Sequence, residues 1–442
     1  MTSAIPPNAS EPGPGPGSEP GPGPGPGPQV RASALVRHAK LWLVPTVLCC
    51  LVSLLLSLLY MGGILSPSDH LDRLPIALVD EDEGRPLPGQ SENLGKQITD
   101  SVATVGSSKT TIDWHRFDST AQAQDALASG KVFGALVVPK DFTATVAALA
   151  TNRATVRPTL TVLTNPGLGS LGSSLAAQIN QGAAHQASLT IGRQLSATAD
   201  VPTTRLLLTD PVAVTTRVGH PIGRHSGLGL TAFYYTLLLV LGGFIGGNLV
   251  NAGVDTALGY ADSELGPWHT RRPTVPISRT QTLVLKMLMT AGISLLTTTL
   301  VMVATIGILG MDADHLPMLW LFSYCATVAV GLGVQAINAA FGGIGQLVSM
   351  FIFIALALPS SGATVPLEAT PAFYRFLGIF EPMHQLSSGV RSILYFDARA
   401  DAGLARGWIM IAVGTVGALA FGFGMTHYYD RRGLRRLTPQ PE

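Results

Sequence analysis

Apolar and polar positions in this chain fall into long blocks. From Leu41 to Ser68 no residue is charged, and the core of that block reads LWLVPTVLCCLVSLLLSLLYMGGIL. About 20 consecutive apolar residues cross the hydrocarbon of a bilayer as a helix, so the block predicts a first span over residues 41–65. Arg31, Arg37 and Lys40 precede it, as basic residues precede a secretory signal. The apolar run, however, exceeds the roughly 7–15 residues of such a signal, and no small-residue cleavage pattern follows. An uncleaved helix is expected.

Four further blocks lack charge: 226–254, 287–311, 316–367 and 407–426. The third is too long for one span and accommodates two, with a hairpin near Phe341–Gly345. The expected helices are about 228–252, 285–310, 317–340, 345–361 and 407–427, six spans in all with the first. The fold class is therefore an α-helical polytopic membrane protein.

Residues 66–225 have a different rhythm. LPIALVD (74–80), FGALVVP (133–139) and RPTLTVLT (157–164) are β-branched, apolar runs that predict strands, the first ended by the turn-forming EDEG (81–84). STAQAQDALASG (119–130) suits a helix closed by Gly130, a second helix opens after Pro139-Lys140-Asp141 and runs to 150, and a long one is expected over 168–196. Strands alternating with helices predict a small α/β domain between spans one and two. Residues 1–34 contain EPGPGPGSEPGPGPGPGP, whose prolines remove donors and whose glycines add backbone entropy, so a disordered spacer is expected there.

The distribution of cations orients the spans. Arg31, Arg37, Lys40, Arg271, Arg272, Arg279, Lys286, Arg431, Arg432, Arg435 and Arg436 flank one side, eleven in all, against four (Arg375, Arg391, Arg399, Arg406) in the short loops of the other. Cations are retained on the cytoplasmic side, so both termini, including a basic tail over 431–442, are expected inside a cell membrane. The 66–225 domain and an outer segment over 362–406 are then expected outside. Only 12% of residues are charged, against about 25% in soluble domains. The net charge of +1 gives no pull toward nucleic acid. Abundant Ala, Gly, Arg and Pro fit a GC-rich bacterial source.

Candidate chemistry is sparse. Gly95-Lys96-Gln97 and Gly130-Lys131-Val132 lack the glycine spacing and the Ser/Thr of a phosphate-binding loop, so no ATP hydrolysis by that route is expected. Cys49, Cys50 and Cys325 lie in apolar runs without metal-ligand spacing. No catalytic residue, cofactor or metal site is expected, and Asp80-Glu81-Asp82-Glu83 is read as a solvated turn. The polar residues expected at membrane depth are Asn248, Asn251, Gln335, Asn338 and Gln346, either as hydrogen bonds between helices or lining a substrate path. Ionisable groups at that depth would mark ion coupling, and these blocks offer almost none. Gly242, Gly243, Gly246 and Gly247 form two overlapping G-x-x-x-G pairs suited to close helix packing.

The most distinctive stretch is 359–396, in which Pro366, Pro371 and Pro382 divide short helical pieces that mix Phe373, Tyr374, Phe376 and Phe380 with Glu368, Arg375, Glu381 and Arg391. Aromatics among charges suit the outer interface or a partly re-entrant segment. This stretch resembles the type-2 ABC exporter permeases, in the branch of the phage-infection-protein membrane proteins and the yeast nitrosoguanidine-resistance proteins. LPIALVDEDEG (74–84), KVFGALVVPKDFTATV (131–146), HPIGRHSGLGLTAFYYTLLLVLGGFIGG (220–247) and RRPTVPISRTQTLVLKML (271–288) are similar to segments of that family in the same order.

The resemblance implies a six-helix permease, a homodimer or permease pair, whose loop between helices two and three contacts a separate ABC ATPase. In this chain that loop is about Asp255–Arg279, with Arg271, Arg272 and Arg279 as candidate coupling residues. Pro366, Pro371, Glu381, Pro382 and Arg391 become candidates for an outer gate. The expected function is export of a hydrophobic or amphiphilic compound or an envelope component. The competing expectation is a surface receptor or envelope assembly factor working through residues 66–225, and membrane lipid is a partner under either.

Overall fold

The computed structural model describes residues 39–107, 112–151, 157–196, 209–265 and 267–434. The expected N-terminal tail and most of the basic C-terminal tail lie outside the described residues. The chain divides into two units, Met1–Leu56 and Ser57–Glu442. Helix α1 (Ala39–Gly62) holds the first apolar block and exposes Val47, Leu51 and Leu54.

The α/β domain is a five-stranded sheet in the order β2-β1-β3-β4-β5, with β1 Leu74–Asp80, β2 Ile112–Phe117, β3 Gly134–Val138, β4 Thr159–Thr164 and β5 Ala213–Val218. All pairings are parallel except the antiparallel β3–β4. Strands β1 and β3 are buried almost throughout because helices cover both of their faces. On one face, Leu78, Leu136, Val138 and Leu160 pack under α2 (Leu94–Ser107), α4 (Phe142–Ala150) and α5 (Ser170–Ser196). On the other, Ala77, Val79, Ala135 and Val137 pack under α3 (Thr120–Ala128).

The expected strands correspond to β1, β3 and β4, whereas α2, β2 and β5 are not apparent from the residue pattern. Both missed strands are sheet edges, and half of their side chains face outward, so their apolar content is diluted. The acidic turn is corrected as well. Asp82 is buried, and its carboxylate accepts from the backbone N–H of Gly84, Gly95 and Thr143 and from the Thr143 hydroxyl. It ties the starts of α2 and α4 together, while Glu81 accepts from the backbone of Thr120 at the start of α3 (2.6 Å).

Among the described residues, four helical stretches are long and apolar enough to cross a membrane: Thr231–Ala257, Arg279–Ile308, Leu316–Ser360 and Leu404–Arg431. The third breaks at Gly342, where φ is +59°, a conformation glycine adopts without a Cβ penalty. Its two limbs fold back on each other: a Cβ at Gly333 would meet the Phe353 ring, and one at Gly345 would meet Asn338. The bundle therefore contains α6 (Thr231–Ala257), α7 (Arg279–Met302), α8 (Leu316–Phe341), a return limb of α9 (Gly345–Met350) and α10 (Ala357–Ser360), α11 (Ala372–Phe380), α12 (Pro382–Tyr395) and α13 (Leu404–Arg431). Its core joins Tyr235, Leu239, Phe322, Val330, Met383 and Val390. Its outward faces carry Leu249, Leu296, Leu300, Val413 and Val416, side chains compatible with hydrocarbon.

Helices α6 and α8 approach closely through one of the two glycine pairs. A Cβ at Gly243 would sit 2.7 Å from the Thr327 carbonyl oxygen, and one at Gly247 3.0 Å from Val334. Gly246 meets nothing within 4 Å and Gly242 only the Thr327 methyl at 4.0 Å, so this pair makes no close approach to α8.

Candidate functional site

A seam of polar side chains runs between α6, α7 and α8. Near the end that adjoins the α/β domain, the Tyr235 hydroxyl bonds to Ser323 (2.9 Å). Farther along, Gln335 donates to the Gly247 carbonyl (2.8 Å) and to Thr290 (3.0 Å), and Asn338 donates to Asn248 (3.0 Å). The seam ends on an ion pair: Lys286 Nζ lies 2.8 Å from Asp255 and 2.6 Å from the Asn251 amide oxygen. The Lys286 side chain is only 5% exposed, against 18% for Asp255.

Of the five candidate polar residues, four belong to this seam. Gln346 does not, since it is exposed at the start of the return limb. The ion pair is a correction to the expectation that the bundle lacks ionisable groups. Asp255 falls one residue past the second apolar block and Lys286 one residue before the third, so both read as flanking charges. The available signal was helical spacing: Asn251 and Asp255, and Lys286 and Thr290, are each four apart and share a face.

Beside the pair lies a cavity of about 440 Å³, lined among others by Asn251, Asp255, Tyr260, Arg279, Asn338 and Gly342. The connection from α6 to α7 projects beyond it as a two-stranded hairpin, β6 (Ser263–Leu265) and β7 (Trp268–Thr270). Trp268 is 74% exposed. Arg271 and Arg272 are exposed just after β7, Arg271 lying 3.8 Å from Asp262. Arg279 differs from this pair of residues. Its backbone N–H donates to Asp430, its Nε donates to the Leu434 carbonyl (2.7 Å), and its guanidinium lies over the Tyr429 ring. It holds the start of α7 to the end of α13 and is not presented on the loop.

At the opposite end of the bundle, residues 361–403 pack into it and against the α/β domain. Pro382 opens α12, and Glu381 before it caps that helix by accepting from the Met383 N–H (2.6 Å). Glu381 is buried with no ion-pair partner among the described residues, and burial pushes its carboxyl up to about 8. Arg391 is also buried and donates to the Ala363 carbonyl at 3.4 Å, with its Nε unpartnered. Burial raises the Glu368 carboxyl, opposed by the nearby Arg391 and Arg375 guanidiniums. Pro366 is buried, and Pro371 precedes α11. The five gate candidates thus share one segment, but Glu381 and Arg391 stand ten residues apart on α12 and do not pair.

This segment is also the joint to the α/β domain. Phe396, 1% exposed, fills the space over Gly130 and Gly167. Four charges alternate around it: Asp125 pairs with Arg399 (2.8 Å), Arg399 with Asp401 (3.3 Å), and Asp401 with Lys131 (2.9 Å). Arg375 reaches Asp72 (2.9 Å) just before β1. The His220 ring bonds the Tyr395 carbonyl (2.7 Å), and the Tyr395 hydroxyl sits on Ser226, Thr231 and the Ala232 N–H at the start of α6. Exposed ion pairs contribute little to stability, so buried Phe396 and Tyr395 carry most of this joint.

Among the described residues no group of three or more His, Cys, Asp or Glu comes together to hold a metal ion. One protein-family model, described as "Protein of unknown function (DUF3533)", matches residues 44–414, most of the chain. No curated protein and no solved structure matches it.

Proposed function

The chain belongs to the DUF3533 family, and we propose that it is the membrane subunit of an exporter, moving a hydrophobic or amphiphilic compound or an envelope component outward with energy from a separate ATPase. On this reading it has six spans in the cell membrane: α1, the four long apolar stretches, and Leu316–Ser360 counted as two. Both termini are inside, the α/β domain and residues 362–406 are outside, and the chain works as a homodimer or permease pair.

The observation that carries the reading is the hairpin end of the bundle. An exposed hairpin bearing Trp268 is covalently joined to α6 and α7, whose ends are pinned to each other by the buried Lys286–Asp255 pair. A partner pressing on the hairpin moves both helices together, because separating them breaks an ion pair whose lysine is buried. The cavity lined by Asn251, Asp255 and Asn338 opens at that place. At the other end, Phe396 and Tyr395 join the same bundle to the α/β domain, so motion of α6 is passed on through Thr231 and Ser226.

The test is affinity purification from native membranes in mild detergent, with co-purifying proteins identified by mass spectrometry. A stoichiometric ABC-type ATPase, lost in Trp268→Ala or in the double Arg271→Ala, Arg272→Ala variant, is expected. Recovery of no ATPase, together with unchanged sensitivity of a deletion strain to a broad panel of toxic amphiphiles, would overturn the reading. One observation favours a second reading, a surface receptor or assembly factor working through residues 66–225: the α/β domain contains an apolar cleft larger than the cavity in the bundle. Recovery of an envelope protein instead of an ATPase would support it.

A further inference from the structure

The α/β domain carries a cleft of about 820 Å³ between α2 and α5, reaching Trp114 on edge strand β2. That volume lies within the roughly 300–1,000 Å³ of sites for small organic molecules. The floor is apolar, made by Ile98 and Val102 of α2 and Ala187 and Ile191 of α5, all of which also belong to the domain core. Among the described residues no charged side chain lines it.

Two features have no explanation in packing. The first is Trp114, whose indole N–H is buried without a hydrogen-bond partner. A buried donor left unpaired costs about 1–3 kcal/mol; Trp114 lines the cleft, and a turn of its ring that brings the N–H to an acceptor on a ligand relieves that cost. The second is Gly182, near the middle of the 27-residue α5. Glycine inside a helix is about 1 kcal/mol less favourable than alanine, and it is usually retained where a Cβ would clash. At Gly182 a Cβ would meet nothing within 4 Å. What glycine provides here is open space in the cleft wall.

The remaining wall says what kind of molecule fits. Gln97 donates to Gln90 (3.1 Å), and Gln90 to Gln194 (3.4 Å), forming a chain of neutral amides at one margin. A charged group placed in the cleft would lose hydration and meet no counter-charge among the described lining residues. An apolar body gains by covering the floor, and a carbonyl or ether oxygen gains a donor at Trp114.

We propose that this cleft binds an uncharged amphiphile, an apolar chain or ring system carrying a hydrogen-bond acceptor that seats on Trp114. The site lies outside the helix bundle, and its occupancy is independent of whether the bundle transports anything.

The test uses the full chain in zwitterionic-lipid nanodiscs, with a monoacylglycerol bearing a diazirine on its acyl chain as the probe. After irradiation, labelled peptides are identified by mass spectrometry. Labelling is expected on peptides covering 94–102 and 179–194, and is expected to fall at least tenfold in Gly182→Trp, which fills the cleft. Gly182→Ala, which adds one methyl to open space, keeps the labelling and controls for folding. Trp114→Phe keeps an aromatic ring but removes the donor, and lowers labelling several-fold. A fatty acid with the same chain and a free carboxylate labels these peptides at least tenfold less.

Absence of labelling on both peptides, or equal labelling in the wild type and a folded Gly182→Trp, would overturn the site. Equal labelling by the fatty acid would overturn the assignment to uncharged ligands. A dimer in the wild type that Gly182→Trp dissociates without probe binding would assign the cleft to a second copy of the chain and also overturn the proposal. Because no outcome depends on an ATPase or on export, failure here is distinguishable from failure of the exporter reading.

Discussion

Replacing Lys286 by methionine keeps most of the side-chain volume and removes the ammonium. In the structure that ammonium makes hydrogen bonds of 2.6 Å to Asn251 and 2.8 Å to Asp255. Hydrogen bonds to charged groups contribute about 1.5–3 kcal/mol each, and breaking a buried pair by removing one partner costs about 3–5 kcal/mol. The full penalty is not expected, because Asp255 is 18% exposed and lines the cavity, where its carboxylate can regain water. Lys286→Met is expected to cost about 3 kcal/mol, and Asp255→Asn, which leaves the ammonium on Asn251, about 2 kcal/mol. The double variant removes both charges and is expected to cost about 2 kcal/mol, so the two sites couple by about 3 kcal/mol. The assay is equilibrium unfolding of the purified protein in mixed micelles, titrated with a denaturing detergent, for the wild type and three variants. Single-variant costs that simply add, with coupling below about 0.5 kcal/mol, would show that the pair does not hold α6 to α7. The hairpin would then have no rigid link to both helices.

Three further predictions follow from separate parts of the fold. Gly243→Ala places a Cβ 2.7 Å from the Thr327 carbonyl oxygen and is expected to cost about 1–3 kcal/mol by overpacking, whereas Gly246→Ala meets nothing and is expected to leave stability unchanged or slightly raised; equal effects in the same unfolding assay would contradict the packing of α6 on α8. Glu381 lies outside the four long apolar helical stretches, and burial raises its carboxyl from 4.5 to about 8. The folded state therefore holds a proton that the unfolded state releases first. Stability is in full below pH of about 4.5 and is lost as pH rises through about 8, by on the order of a few kcal/mol. Glu381→Gln should flatten that dependence between pH 4.5 and 9, and a parallel slope in the variant would count against the assignment. Phe396→Ala empties the joint over Gly130 and Gly167 and is expected to cost about 3–5 kcal/mol, while Arg399→Ala breaks only exposed ion pairs and should fall within experimental scatter; limited proteolysis between the domain and the bundle would register the difference.

Much of the architecture was legible in the chain alone, for a physical reason. A long uncharged apolar block has few alternatives to a buried or membrane-embedded helix, so the long helices and the return at Phe341–Gly345 follow from the residue pattern. Buried strands such as LPIALVD are equally legible, because both of their faces are apolar. Edge strands β2 and β5 were not, since a strand with one wet face looks like a loop until its partner is known. Sequence also marked Asn248, Asn251, Gln335 and Asn338 as polar residues in apolar helices, the simplest sign of a seam.

What only the tertiary structure decided is which groups meet. Lys286 and Asp255 are 31 residues apart and each reads as a flank, and they become one site because α6 and α7 run antiparallel in register. Asp82 reads as part of a solvated turn, yet it is buried by backbone donors from two helices that start 11 or more residues later. The cleft at Trp114 lies where α2 and α5 meet beside an edge strand, and Gly182 in its wall looks in sequence like any helix-weakening glycine. Local composition determines whether a segment seeks water or hydrocarbon. The pairing of distant charges and the space left between helices depend on packing geometry, which composition does not encode.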